Sequence, residues 1–400
     1  MSDWQNERVK LEEAQALLTE DSLSLLDSLA DLEEPKDVVA LVSSLRAQGH
    51  PPERVHAVLG QLGLKKKIRA KFGPFADRLL ATPDGIEQAS RLEVSSHHAH
   101  RFHAAGITSV VDCGCGMGGD SLAFAALGID VVAIESDPAT AALASYNLAP
   151  FSNARVELGD VETGSLPEAE GLWIDPARRK EGSRSHDPST WSPSLDWVFD
   201  QAQRIPCGIK LGPAFDHDLI PPGMEAQWVS YRGSVVELVL WAGILARHDV
   251  TRSALVIGPD TTIELTAPGP AADAPAGPLQ TYLYEPDGAV IRAQLLGDLA
   301  RRINATMLDS TIAYMTSHRL DDTPLAQVFE VLETVPYSMK NIQRLLREHS
   351  IGELEIKKRG IDVDPHTLRS ALEFEGTEHR TLILTRVQGT KTAILARRVV

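Results

Sequence analysis

Short apolar runs alternate with longer amphipathic segments through the middle of this 400-residue chain. Runs of five or six apolar residues are typical of buried strands, and the segments between them have the spacing of helices. Strands are therefore predicted at 107–112, 130–135, 154–158, 170–175 and 207–211, with helices at about 119–127, 138–149 and 193–204. This alternation predicts an α/β domain built on a mainly parallel, Rossmann-like sheet.

The residues before this domain, 1–105, are predicted to be entirely helical. Their first apolar stripe consists of Leu11, Ala14, Leu17 and Leu18.

After the five predicted strands in the chain, the apolar stretches at 227–231 and 234–241 flank Arg232-Gly233. This arrangement predicts an antiparallel pair that closes one edge of the sheet.

The remainder of the chain is predicted to hold a hairpin, a linker and a last α/β domain. The hairpin is expected at 250–266, and a Pro/Ala/Gly-rich linker or long loop at 267–278. In the last domain, strands are expected near 282–285, 327–334, 353–358, 380–388 and 391–398, and helices near 291–303, 338–349 and 365–373. The predicted domains are therefore 1–105, 106–245, 246–280 and 281–400.

Composition and net charge limit which classes of protein are expected. The chain has a hydrophobic fraction of 43%, three cysteines and a formal net charge of −16. We expect a cytoplasmic protein without a disulfide framework, and no apolar run is long enough to predict a transmembrane helix. The four histidines between 97 and 103 are scattered around a helix axis, so we expect no metal. The acidic charge argues mildly against nucleic acid, but residues 336–400 carry 12 Lys/Arg against 8 acids.

The most informative stretch is the turn after the first predicted strand, Val111-Asp112-Cys113-Gly114-Cys115-Gly116-Met117-Gly118-Gly119-Asp120. Gly114, Gly116 and Gly118 allow the backbone to pass close to a ligand or to adopt positive φ. A dinucleotide is one candidate ligand, because the chain also satisfies the spacing G-x-G-x-x-G. Asp112 favours another, since a carboxylate there repels a pyrophosphate and attracts a cationic amino acid group.

Three further acids follow predicted strands, as expected of residues at the ligand-binding edge of such a sheet. Glu135 ends the second strand, 19 residues after Gly116, where an acid can accept hydrogen bonds from both ribose hydroxyls. Asp160 follows the third strand and Asp175 the fourth. A single acid at a strand end is usually a helix cap or a solvated loop residue, but four are expected to converge on one crevice.

These motifs resemble those of bacterial class I S-adenosylmethionine-dependent methyltransferases with a C-terminal THUMP-like domain. Besides the glycine turn, the matching strings are Asp175-Pro176-Ala177-Arg178-Arg179, Ile209-Lys210-Leu211-Gly212-Pro213, Tyr284-Glu285-Pro286-Asp287-Gly288 and Leu354-Glu355-Ile356-Lys357-Lys358-Arg359-Gly360. The resemblance implies an α/β, class I (Rossmann-like) methyltransferase sheet with an N-terminal helical domain and a C-terminal α/β THUMP-like domain. It also implies S-adenosyl-L-methionine as the cofactor.

The resemblance further implies roles for the acids. Asp112, with Gly114, Gly116 and Gly118, would hold the methionine end of the cofactor, Glu135 the ribose and Asp160 the adenine amino group. Asp175, Pro176 and Arg178 would face the methyl acceptor. Enzymes that methylate base amines typically carry Asp/Asn-Pro-Pro-aromatic at this place, so the Ala177 and Arg178 of this chain leave the methylated atom open. Methylation of pyrimidine carbon 5 is rejected because the expected cysteine nucleophile is missing.

THUMP domains bind structured RNA, so the resemblance implies RNA methylation, of a base nitrogen in tRNA or rRNA. The predicted RNA-binding residues are Lys340, Arg344, Arg347, Lys357, Lys358 and Arg359. A solvated charged face is the equally weighted structural interpretation of these residues. RNA is the expected partner, without DNA, membrane or metal. The alternatives are a small-molecule or protein methyltransferase, and a non-catalytic RNA-binding protein that retains the cofactor site.

Overall fold

A computed structural model of the protein describes residues 9–30, 32, 37–176, 179–180, 183–184 and 190–399. The described chain divides into two compact units. The first extends to Leu211 and includes Leu240–Ala246, and the second comprises Gly212–Val239 and the residues from Arg247 onward. The four domain limits given above stay a prediction. Among the described residues, no helix combines the length and apolar character needed to cross a membrane.

The first unit begins with helices, as predicted. They are α1 (Leu11–Leu17), α2 (Glu20–Ser28), α3 (Val38–Ala47), α4 (Pro52–Phe72), a 3-10 helix (Gly73–Arg78), α5 (Pro83–Gln88) and α6 (Leu92–Ala104). Side-chain caps begin several of them. The Thr19 hydroxyl accepts from the Ser22 N–H, and the Thr82 hydroxyl from the Gly85 N–H.

A parallel sheet follows these helices. Its strands are β1 (Ser109–Cys113), β2 (Asp130–Glu135), β3 (Ala154–Leu158), β4 (Gly171–Ile174) and β7 (Cys207–Leu211). The intervening helices are α7 (Gly119–Ala126), α8 (Pro138–Leu148) and α9 (Leu195–Ala202), and β5 (Arg179–Lys180) and β6 (Ser183–Arg184) form a separate two-stranded ribbon. These elements confirm the predicted strands and helices to within about two residues at each end.

The order of strands in this unit is β7-β4-β1-β2-β3, and each pairing is parallel. The chain builds outward from β1 to β3 and then returns to the other side of β1 with β4. Ligands of open α/β sheets bind at such a reversal, outside the carboxyl ends of the strands. On one side of the sheet, Leu17, Val58 and Leu62 of the N-terminal helices share a core with Ala139 and Leu143 of α8.

Gly208 of β7 lets two tryptophans pack at the centre of this unit. A Cβ there would lie 2.7 Å from two ring carbons of Trp173 and 2.8 Å from a ring carbon of Trp241. Both rings are fully buried, so we expect Gly208→Ala to lower the free energy of unfolding by about 1–3 kcal/mol. Denaturant unfolding measures the change.

The matched control is Gly63→Ala in the middle of α4. A Cβ at Gly63 meets no atom within 4 Å, and alanine favours a helix more than glycine does. This control should be neutral or stabilising by up to about 1 kcal/mol. Equal unfolding curves for Gly208→Ala and the wild type would contradict the close packing.

The second unit contains four strands that precede the linker segment. They are β8 (Glu225–Tyr231), β9 (Ser234–Ala242), β10 (Arg252–Ile257) and β11 (Thr262–Ala267), with 3-10 helices at His217–Leu219 and, in residues of the first unit, Gly243–Leu245. Arg232 and Gly233, which connect β8 to β9, have φ of 49° and 81°. Positive φ at both central residues defines the two-residue turn that suits a hairpin, so the predicted antiparallel pair is confirmed. The hairpin of β10 and β11 is confirmed as well.

A seven-stranded sheet completes the second unit. Its strands are β12 (Tyr282–Pro286), β13 (Thr306–Asp309), β14 (Ile312–Ser317), β15 (Ala326–Pro336), β16 (Ile351–Lys358), β17 (Glu378–Val387) and β18 (Thr390–Val399), in the order β13-β14-β12-β15-β18-β17-β16. Its helices are α10 (Gly288–Arg292), α11 (Leu296–Arg302), α12 (Met339–Glu348) and α13 (Pro365–Ser370). Only the β16–β17 pair is parallel among the pairings described in this sheet.

Three features of this unit differ from the expectations. The helix predicted near 291–303 is two helices, because Gln294 adopts a φ of 60° between them. The short strands β13 and β14 escaped prediction. The Pro/Ala/Gly segment, predicted as a linker or long loop, also pairs with a strand, which was not expected: Ala276 pairs with Met307, and the Gly277 N–H donates to the Met307 carbonyl at 2.8 Å.

Candidate functional site

The glycine turn after β1 has the backbone geometry that the sequence predicted. Gly114, Gly116 and Gly118 have φ of 85°, 56° and 85°. Residues other than glycine rarely adopt these φ angles, so the turn requires glycine at all three positions. A Cβ at Gly114 would also lie 3.3 Å from the Asp175 carbonyl oxygen. The turn therefore leaves its backbone exposed to whatever occupies the space above it.

That space is a cavity of about 400 Å³, within the usual range for small-molecule sites. Asp112, Glu135, Asp160 and Asp175 all line it, together with Gly114 and Gly116. The four acids predicted to converge are thus brought to one crevice by the ends of β1 and β4, the end of β2 and the loop after β3. Such a crevice forms where the order of strands in the sheet reverses, here between β1 and β4.

Asp112 is the most deeply buried of these acids. Its side chain is 1% exposed and accepts a hydrogen bond from the Ser121 hydroxyl at 2.5 Å. Burial raises the pKa of Asp112 to about 8, and the charges of Asp120 and Asp175 add to this effect. Near neutral pH, Asp112 is therefore largely protonated.

Glu135 and Asp160 are held by backbone N–H groups. Glu135 accepts from the Gly116 N–H at 3.0 Å through one oxygen and from the Asp137 N–H at 2.9 Å through the other. The first bond ties the end of β2 to the glycine turn. Asp160 is exposed and accepts from the Glu162 N–H at 2.9 Å. Carboxylates retain acceptor capacity after one such bond per oxygen, so both can accept hydrogen bonds from a ligand.

Lys210 is the functional candidate that sequence reasoning missed. It lies in β7 and is 9% exposed, and its Nζ is 2.5 Å from Asp175 Oδ2 and 3.6 Å from Asp120 Oδ2. Nζ also donates to the Ser90 hydroxyl at 3.3 Å. A lysine in an otherwise apolar strand was the available signal, since lysine is almost never buried without a partner. Its charge offsets two of the carboxylates in the cavity wall.

Asp120 connects this lysine to a histidine. Its Oδ1 lies 2.8 Å from His98 Nδ1. Although burial opposes ionisation, Lys210 and His98 together bring the pKa of Asp120 down to about 2. The His98 ring stacks on Trp173 at 4.3 Å between centroids. His98 is thus a buried structural partner of Asp120, and among the described residues no three His, Cys, Asp or Glu side chains form a candidate metal site.

The N-terminal helices form one wall of the cavity, which the sequence analysis did not foresee. Thr82, Pro83, Gly85, Gln88 and Ala89, in and around α5, line it.

On the acceptor side, Pro176 is buried after Asp175, and Ser192 and Pro193 line the cavity. Arg178 lies outside the described residues, as does Ala177.

The predicted RNA-binding arginines of α12 are paired with acids. Arg344 contacts Glu333 at 3.2 Å and Glu348 at 2.5 Å. Arg347 contacts Glu373 at 3.3 Å. The basic stripe on this helix is therefore partly neutralised.

The pattern on β16 is similar. Lys357 lies 2.7 Å from Glu285, and Arg359 lies 3.9 Å from the same carboxylate. Lys358, on the opposite face of the strand, and Lys340 on α12 are exposed. Lys357 and Arg359 therefore pair with an acid of their own sheet.

Comparison with known proteins identifies the family. An uncharacterized S-adenosylmethionine-dependent methyltransferase of Mycobacterium tuberculosis, in strains CDC 1551 and H37Rv, is 30% identical over 333 residues, which cover 81% of this chain and 90% of the relative. The crystal structure of a "putative methyltransferase from Porphyromonas gingivalis W83" matches 96% of this chain and 100% of its own with a TM-score of 0.77 at 20% identity, and so shows the same fold.

Two family models match parts of the chain. One, described as THUMP domain-like, matches residues 326–398, and one described as a domain of unknown function matches residues 10–67. The first match spans β15 to β18, including α12 and β16. Together with the full-length similarity, it shows that this chain belongs to the class I S-adenosylmethionine-dependent methyltransferases that carry a C-terminal THUMP-like domain.

Proposed function

We propose that the cavity at the ends of β1, β2 and β4 binds S-adenosylmethionine and that the protein methylates a base nitrogen of tRNA or rRNA. The observation that carries the cofactor site is the buried Asp112 carboxyl beside three glycines with positive φ. Such a site admits a close backbone approach and favours a positive charge, which a cationic amino acid group supplies. A pyrophosphate would keep Asp112 protonated and would place negative charge against Asp120 and Asp175 instead.

The other acids would hold the remaining parts of the cofactor. Glu135 would accept from the ribose hydroxyls while its bond to the Gly116 N–H fixes the turn. Asp160, exposed at the rim, would accept from the adenine amino group. Charge-assisted bonds of this kind contribute roughly 1.5–3 kcal/mol each.

Bound S-adenosylmethionine supplies an electrophilic methyl group, and the chain's own residues position the acceptor. The Lys210 ammonium pairs with Asp175, so that its carboxylate is anionic and fixed in place. Asp175 would accept a hydrogen bond from the acceptor N–H, with the Pro176 carbonyl beside it, and the acceptor role of Arg178 stays a prediction from the sequence. Orientation of this kind can supply about 7–11 kcal/mol of the barrier to methyl transfer.

RNA is proposed as the substrate because the THUMP-like match covers 326–398. Of the six cations predicted to bind RNA, the exposed Lys340 and Lys358 are the better candidates for phosphate contacts. Arg344 and Arg347 would first have to leave their glutamates, and exposed ion pairs of this kind exchange at a cost of about 0–1 kcal/mol. Lys357 and Arg359 are less available, because both pair with the largely buried side chain of Glu285.

Transfer of a radioactive methyl group tests this function. Total RNA from cells that lack the protein should accept label into tRNA or rRNA, whereas RNA from wild-type cells, already modified, should accept little. Nucleoside mass spectrometry should then locate an N-methylated base.

Glu135→Ala should weaken cofactor binding about tenfold or more, while Glu157→Ala on the exposed edge of β3 is the matched control and should not. Label that enters only protein or small molecules would contradict the RNA substrate. An unchanged affinity in Glu135→Ala would contradict the cofactor site.

A further inference from the structure

The run Lys65-Lys66-Lys67-Ile68-Arg69-Ala70-Lys71 near the end of α4 is not explained by the cofactor site. Residues 65–91 carry seven Lys/Arg and three Asp/Glu, a net charge of +4 in a chain of −16. The rest of the chain is therefore more acidic than its total suggests, and this segment is a local positive region.

Contacts place four of these cations together. Lys67 and Lys71 are one turn apart on α4, and Lys67 Nζ lies 3.5 Å from the Glu87 carboxylate. Arg91 donates to the Ala70 carbonyl, one turn after Lys66. We call Lys66, Lys67, Lys71 and Arg91 the α4 basic surface.

This surface borders the cofactor cavity. Lys71 Nζ donates to the Glu87 carbonyl at 2.9 Å and to the Ala89 carbonyl at 2.6 Å, and Gln88 and Ala89 line the cavity. The end of α4 also packs on the cofactor turn, because a Cβ at Gly119 would lie 3.2 Å from the Phe72 ring. The α4 basic surface is thus directly connected to residues that line the cavity.

We infer that the α4 basic surface binds the phosphodiester backbone of the substrate RNA next to the methyl-transfer site. The inference rests on the proposed RNA methylation and adds a docking surface in the first unit. Charge complementarity carries it: a polyanion is attracted to this net-positive segment beside the cavity, as it is to residues 336–400 with their similar excess of cations, and is repelled by the acidic rest of the chain. The Lys67–Glu87 pair does not oppose this role, because both side chains are about half exposed and such pairs are weak.

The test compares two double variants. Lys66→Gln/Lys67→Gln removes two cations of the α4 basic surface. The control, Arg46→Gln/Arg204→Gln, removes two exposed cations of the first unit that do not line the cavity and are not predicted to bind RNA. RNA binding is measured by fluorescence anisotropy with bulk tRNA and with rRNA across a KCl series. Cofactor affinity is measured in parallel by calorimetry.

We expect Lys66→Gln/Lys67→Gln to weaken RNA binding about five- to tenfold at 0.15 M salt and to reduce the salt slope by about 1.4, since each single-strand phosphate contact adds about 0.7. Cofactor affinity should not change, and kcat/KM for RNA should fall through KM. If Lys66→Gln/Lys67→Gln changes the RNA affinity and the salt slope no more than the control double variant does, the inference is overturned, but the proposed function still stands. A wild-type protein that binds no RNA at any salt overturns both.

Discussion

Replacing Lys210 with methionine is expected to reduce methyl transfer at least 100-fold and to lower the free energy of unfolding by about 3–5 kcal/mol. The substitution keeps most of the side-chain volume but leaves the Asp120 and Asp175 carboxylates without their shared cation. A buried charge that loses its partner retains the full cost of desolvation. Denaturant unfolding and single-turnover methyl transfer by the folded fraction measure the two effects.

Two further variants separate charge from packing at this position. Lys210→Arg keeps a cation and should retain more stability than Lys210→Met. The double variant Lys210→Met/Asp175→Asn removes one orphaned charge and should recover part of the lost stability without restoring activity, because Asp175 is proposed to face the acceptor. A Lys210→Met protein with wild-type stability and turnover would show that the ion pair has no role.

Cofactor binding is expected to release a proton at pH 7, and Asp112→Asn should abolish the release. The pKa of Asp112 is about 8 in the folded protein, so the carboxyl is mostly protonated at pH 7. A bound ammonium favours the carboxylate and expels the proton. Affinity should therefore rise as pH increases toward 8, by at most about tenfold per pH unit, and level off above it. Calorimetry in two buffers of different ionisation enthalpy counts the proton.

Asp112→Asn should raise the stability of the folded protein although it weakens cofactor binding. Between pH 4 and pH 8 the unfolded wild-type chain loses the Asp112 proton while the folded chain keeps it, so stability falls as pH rises through this window. Asparagine has no such proton, and Asp112→Asn should stabilise the protein by about 2 kcal/mol at pH 7 while weakening cofactor binding about 100-fold.

Asp130→Asn, at the opposite end of the sheet, is the matched control. It should change neither the proton count nor the cofactor affinity. A wild-type protein that binds the cofactor with no proton release at pH 7 would contradict the assignment of Asp112.

The local architecture of the proposed cofactor site is predictable from short stretches of sequence. Apolar runs bounded by glycine and acid specify β1, β2 and β4, because such strands are buried on both faces and need no tertiary information to be recognised. The positions of Asp112, Glu135, Asp160 and Asp175 followed, since parallel strands deliver their carboxyl ends to one edge. The hairpin at Arg232-Gly233 was equally local, because its turn chemistry is contained in two residues.

Which charged side chains contact one another, in contrast, is visible only in the folded protein. Lys210 and Asp120 are 90 residues apart, and His98 and Asp120 lie on different helices, so no spacing rule joins them. The sequence could not show the cavity wall supplied by α5, or the pairing of Lys357 and Arg359 with Glu285 more than 70 residues away, for the same reason. Strands, helices and turns depend mainly on neighbouring residues in the sequence. The ionisation of a side chain, and whether it is available to bind a ligand, depend on partners that only folding brings within a few ångströms.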